Sequence, residues 1–166
     1  MKFRPPTHRV DAPIVFIHPA DPAWDQEAIA KAADEHGDES AFSRYQRGLT
    51  RYDASEVQSL ISGQPVEFHL TRLSAIQLIE VQSLLERDVS QDKPLLRSAF
   101  LQAACYGLRE VKQGALPALE LESPGSLSAA DIEALSSTEV GIHLIQAIGQ
   151  AVYAASQPLR DDEKKP

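Results

Sequence analysis

A chain of 166 residues with a formal net charge of −8 is the size of one domain, and can bury about two-thirds of the surface its unfolded form exposes. The excess of acid over base opposes sequence-independent binding to a polyanion, so nucleic acid is excluded as an expected partner. The single cysteine, Cys105, rules out an internal disulfide, and the lack of any long apolar window predicts a cytoplasmic protein with no signal peptide or membrane span.

Residues 1–20 carry Pro5, Pro6, Pro13 and Pro19 around the run Ile14-Val15-Phe16-Ile17. Proline breaks on both sides of β-branched residues predict an extended N-terminal arm with one short strand, at a sheet edge or reaching outward. Asp21-Pro22 predicts an N-cap and first turn, with Asp25 and Glu27 near the start of a helix over 22–36 and Gly37 just past its end. Phe42, Tyr45 and Leu49 have helical spacing, and a second short helix is expected over 55–61, with Val57, Leu60 and Ile61 on one face.

Gly63-Gln64-Pro65 punctuates the chain and opens a strand over 66–70, in which Val66, Phe68 and Leu70 alternate with Glu67 and His69. Ser74 and Gln77 form a capping box for a helix running to Arg87, whose apolar stripe is read as Ile76, Ile79, Leu84 and Leu85. Lys93-Pro94 opens the most regular helix, with Leu95, Leu96, Ala99, Phe100, Ala103, Ala104, Leu108 and Val111 at i, i+3, i+4, i+7 spacing as far as Gly114. The apolar stretch 117–121 is of ambiguous type, and 123–126 reads as a loop. Ser128 with Asp131 caps a short helix to Leu135, and Thr138 opens a last helix through Val140, Leu144, Ile145, Ile148, Val152 and Tyr153. Residues 160–166 hold no apolar side chain. The expected architecture is α+β and mostly helical: a small sheet of short strands packed by about five to six helices. The arm occupies 1–20, a single domain 21–156, and a flexible charged tail 157–166.

Chemistry-bearing patterns are scarce. His8, His18, His36, His69 and His143 have no histidine at i+3 or i+4 and no cysteine partner, so no zinc-type spacing exists. Gly125-Ser126-Leu127-Ser128 lacks the glycines of a nucleophile elbow and reads as a turn and cap. The glycines are dispersed, so no phosphate-cradling loop is expected. Residues 34–39 are acid-rich but lack the alternating oxygen ligands of a calcium loop. Arg44, Arg47 and Arg51 have helical spacing with no acid among them, which suits either a basic stripe for an acidic partner or simple solvation. Residues 21–39 hold seven acids and one lysine, and 115–139 five acids and no base. Such faces can steer basic partners, with a solvated surface as the default.

The turn Gly63-Gln64-Pro65, the step Arg72-Leu73-Ser74 after the strand, and the alanine-rich helix ending in Tyr106-Gly107-Leu108-Arg109-Glu110-Val111 together resemble small accessory proteins encoded in the structural gene modules of tailed bacteriophages. The resemblance implies a non-enzymatic role in virion assembly, as a tail assembly chaperone or a minor virion component. It also implies phage structural proteins as partners, and residence in the host cytoplasm during assembly or in the virion. No cofactor, metal or catalytic residue is expected, and homo-oligomerisation is left open. Partner binding is assigned to Ile14 and Phe16 of the arm and to Arg44, Arg47 and Arg51. The alternative is a small acidic regulatory protein that binds and inhibits a host factor. A third reading is an enzyme using His69 or His143 with carboxylates brought close by the fold.

Overall fold

The computed structural model describes residues 14–90, 98–112, 130 and 137–158. Three short strands, β1 (Ile14–Phe16), β2 (Glu67–Leu70) and β3 (Leu108–Lys112), form an antiparallel sheet in the order β1-β2-β3. Phe16 lies opposite Phe68 and Phe68 opposite Val111, which places Ile14, Phe16, Phe68, Leu70, Leu108 and Val111 on one face, with Val15 beside His69 on the other. That face is buried, whereas Glu67 and His69 on the other face are only half-buried.

Among the described residues, the helices are α1 (Gln26–His36), α2 (Ala41–Gln46), α3 (Ala75–Ser90), α4 (Ser98–Gly107) and α5 (Glu139–Ser156), with 3₁₀ turns at Gly37–Glu39 and Ala54–Leu60. The fold is therefore mostly helical α+β, in agreement with the sequence. One apolar cluster joins the sheet to Val81 of α3, Ala99, Ala103 and Ala104 of α4, and Ile145, Ile148 and Val152 of α5.

Helices α4 and α5 cross at small residues. A Cβ added to Gly149 would lie 1.9 Å from the Phe100 carbonyl oxygen, and one added to Gly107 would lie 2.4 Å from a Val152 methyl. Glycine is required at both positions because the opposing helix occupies the space of a side chain. Gly107 also ends α4, and the chain continues as a strand. Leu108 and Val111, read from the sequence as the last turn of a helix reaching Gly114, instead pair with Leu70 and Phe68. The apolar spacing 108/111 fits this strand because β3 is bulged opposite His69/Leu70, and the extra residue keeps both side chains on the buried face.

Asp21 is a second correction. It does not cap α1; its carboxylate is buried and accepts from Ala23 N (2.9 Å) and Val66 N (2.9 Å), tying the turn after β1 to the residue before β2. The cap is Asp25, whose Oδ1 accepts from Glu27 N and Ala28 N, so α1 starts four residues later than the Asp21-Pro22 pair suggests. Thr138 does cap the last helix, accepting from Gly141 N at 3.0 Å, and Ser74 and Gln77 exchange the two bonds of a capping box. The 55–61 segment is the 3₁₀ turn Ala54–Leu60, capped by Asp53. The Lys93-Pro94 helix start, the 117–121 stretch, the Ser128/Asp131 cap and the charged tail beyond Pro158 lie outside the described residues.

The first strand is built into the core. Ile14 and Phe16, assigned to partner binding from the sequence, are 5 % and 4 % exposed, with their side chains covered by Phe68, Tyr52 and the rest of the cluster. The outer edge of β1 is closed as well. Val15 N donates to Tyr52 O (3.1 Å), while the Tyr45 hydroxyl accepts from Ile17 N (2.8 Å) and donates to Val15 O (2.9 Å). A phenol thus supplies the hydrogen bonds of a missing neighbour strand, and its burial raises the Tyr45 pKa far above the ordinary tyrosine range.

Candidate interaction surface

Helix α3 has a used face and an unused one. Leu78, Val81, Leu85 and Asp88 recur at three- and four-residue intervals and point inward, with Val81 fully buried and Asp88 1 % exposed. The Asp88 carboxylate accepts from Ser98 Oγ (2.8 and 2.9 Å) and from Ala99 N (3.1 Å). It therefore serves the orphan amides at the start of α4 from a neighbouring helix, and favourably opposes the positive end of that helix.

Ile76 and Ile79 belong to the opposite face. They sit two positions before and one after Leu78, roughly 160° and 100° around the axis from it. They are 79 % and 63 % exposed, and Val89, about 15 Å further along the same helix, is 62 % exposed. The apolar stripe expected at Ile76, Ile79, Leu84 and Leu85 is thus split: the two leucines pack partly against the core, and the two isoleucines face water. Ile76 and Ile79, three residues apart, are neighbours on the helix surface. Glu80 flanks them and accepts a 2.7 Å bond from the Tyr106 hydroxyl, which raises the pKa of that phenol.

The three arginines assigned to partner binding do not form a stripe. Arg44 pairs with Glu39 at 3.1 Å. Arg47 donates to the carbonyls of Ser43 (3.3 Å) and Asp38, serving the end of α2 and the 3₁₀ turn before it. Arg51 donates to Ala154 O and to Pro158 O (3.3 Å), at the C-terminal end of α5. Helical phase is lost between them because α2 stops at Gln46, Gly48 turns at φ +68°, and Arg51 and Tyr52 adopt φ +54° and +58°. Arg72 donates to the adjacent Ala155 O at 3.1 Å. Two guanidinium groups thus meet the negative end of α5, which is favourable for both. Arg72 has its pKa lowered by burial and by its neighbour Arg51.

Of the two histidines weighed as catalytic bases, His69 lies 2.9 Å from Glu67 on the half-buried face of the sheet, with Glu110 opposite it in register. Among the described residues no serine, threonine or cysteine hydrogen-bonds to this pair. His143 is exposed on α5. Among the described residues, no group of three or more His, Cys, Asp or Glu side chains is placed to hold a metal. No helix among them is long and apolar enough to cross a membrane.

Compared with protein-family models, with curated proteins and with solved structures, the chain matches none. The resemblance to phage accessory proteins accordingly rests on the sequence elements that suggested it.

Proposed function

We propose that this chain is a non-enzymatic protein of tailed-phage morphogenesis that binds other phage structural proteins, as a tail assembly chaperone or a minor virion component. The observation that carries the binding role is the outer face of α3, where Ile76 and Ile79 stand exposed side by side on a capped, core-anchored helix. An apolar pair held on a rigid element is suited to the exposed apolar surface of an unassembled structural subunit, and α3 loses little conformational freedom on binding. The morphogenesis setting comes from the sequence resemblance.

The test is capture of phage structural proteins by the tagged chain and by an Ile76→Glu/Ile79→Glu variant. Both substitutions are at exposed positions, so stability should change by no more than about 0.5 kcal/mol each, while capture should fall at least tenfold. Equal capture by the variant would remove α3 from the account. Quantification of the protein in purified particles separates a stoichiometric virion component from a chaperone that is needed but not retained.

The host-factor alternative has its own observation: α1 and the 3₁₀ turn after it contain no buried residue and present Glu27, Asp34, Glu35 and Asp38 to solvent. Recovery of a single host protein, with no structural protein, would favour that reading.

A further inference from the structure

The seven residues from His18 to Trp24 carry the chain from β1 to α1, and one of the bonds that fasten them depends on the protonation state of an imidazole. His18 Nδ1 accepts from Ala20 N at 3.1 Å, which requires the neutral ring with its proton on Nε2. The His18 carbonyl accepts from Asp21 N (2.9 Å) and from the indole Nε1 of Trp24 (2.9 Å). Trp24 in turn packs edge-on against Phe42 and Tyr45, with centroids 4.8 and 5.7 Å away. Tyr45 is the residue whose hydroxyl closes the β1 edge. This turn is thus one of the ties between the sheet and the lobe formed by α1, α2 and the 3₁₀ turns, beside the bonds of Tyr45 and Tyr52 to β1.

We propose that this corner is an acid-sensitive latch: a proton on His18 breaks its bond to Ala20 and loosens the turn that holds Trp24, while the Tyr45 and Tyr52 bonds to β1 and the α4–α5 core stay in place. A protonated ring would turn an N–H of Nδ1 toward the N–H of Ala20, exchanging an attraction for a repulsion between the half-buried His18 ring and the exposed Ala20 amide. Burial opposes the charged ring and lowers its pKa. Asp21 is the charged group acting on it and works in the other direction, more weakly. The Asp21 carboxylate is already occupied by Ala23 N and Val66 N. Phe16, the neighbour of His18 on β1, offers only a ring edge at 6.3 Å. In the unfolded chain the histidine titrates near 6.5, and in the corner it titrates lower. The stabilisation contributed by the neutral ring is therefore present above 6.5 and is lost as the pH falls below it.

Trp24 is the only tryptophan in the chain, so intrinsic fluorescence of the full chain reads this corner alone. Lowering the pH should shift Trp24 emission to the red with a midpoint below 6.5, while far-ultraviolet circular dichroism retains the α4 and α5 signal. His18→Asn keeps an acceptor for the Ala20 amide and cannot titrate, so it should abolish the shift; persistence of the shift in that variant would overturn the proposal. Should the variant lack native emission at neutral pH, NMR titration of the wild-type chain decides. His18 titrating below 6.5 with the Ala20 amide and Trp24 indole following the same curve supports the latch, and titration of His18 without them overturns it.

Discussion

Replacing Gly149 by alanine should destabilise the protein, although the same change in an open helix would stabilise it. Alanine is favoured over glycine within a helix by about 1 kcal/mol, so an exposed Gly149 would give a gain of that size. Here the new Cβ would sit 1.9 Å from the Phe100 carbonyl oxygen, 2.6 Å from its carbon and 2.8 Å from its Cα. Ordinary contact needs about 3.4 Å, so α4 and α5 would have to separate by roughly 1.5 Å along this line. The obstacle is backbone, which cannot rotate away as a side-chain tip can. Ala103, Ala104, Ile145 and Ile148 on either side are fully buried, so any separation opens gaps among them. Overpacking costs typically about 1–3 kcal/mol, and a backbone obstacle at 1.9 Å puts this site at the upper end; with the propensity gain of about 1 kcal/mol subtracted, a net loss of about 2 kcal/mol is expected. Urea unfolding followed by circular dichroism measures it, and Gly63→Ala is the control, since its Cβ would meet Ala23 at an ordinary 3.5 Å. A Gly149→Ala protein as stable as wild type, or more so, would refute the close crossing of α4 and α5.

Tyr45→Phe removes both hydroxyl bonds that close the β1 edge, leaving Ile17 N without its acceptor inside the core. A loss of about 1–3 kcal/mol follows, and hydrogen exchange should speed up first at Ile17. Asp88→Ala takes the carboxylate from Ser98 Oγ and Ala99 N at the start of α4. The expected cost, read from the urea midpoint, is about 1–2 kcal/mol, whereas Glu86→Ala on the exposed side of the same helix should change stability by less than about 0.5 kcal/mol.

Legibility in the sequence followed how local the determining interaction was. The capping box of Ser74 and Gln77, the Thr138 cap and the alternation of β2 are each fixed within a few residues, and the structure contains them. Asp21 and Asp25 both have the chemistry of a cap, and the choice between them is made by Val66 N, forty-five residues away, which takes the first carboxylate. Leu108 and Val111 continue the helical spacing of α4, but Gly107 must approach Val152, and β2 offers a strand edge just beyond it. Arg44, Arg47 and Arg51 look like one stripe only if the helix persists past Gln46, and the left-handed turn at Gly48, Arg51 and Tyr52 sends each guanidinium to a different carbonyl or carboxylate. The exposed isoleucines were missed because an apolar residue on a capped helix reads as core. Their phase relative to Leu78, Val81, Leu85 and Asp88 is the signal that separates them, and it is visible only once Asp88 is known to face inward.

The central claim is that an acidic, core-anchored helical body presents the outer face of α3 to phage structural proteins. Parallel affinity capture by the wild-type chain and by Ile76→Glu/Ile79→Glu, with the bound proteins identified by mass spectrometry, addresses it most directly. The account predicts capsid or tail proteins on the wild-type chain and at least a tenfold loss on an equally stable variant. Undiminished recovery by the variant, or recovery of host proteins alone, would contradict it.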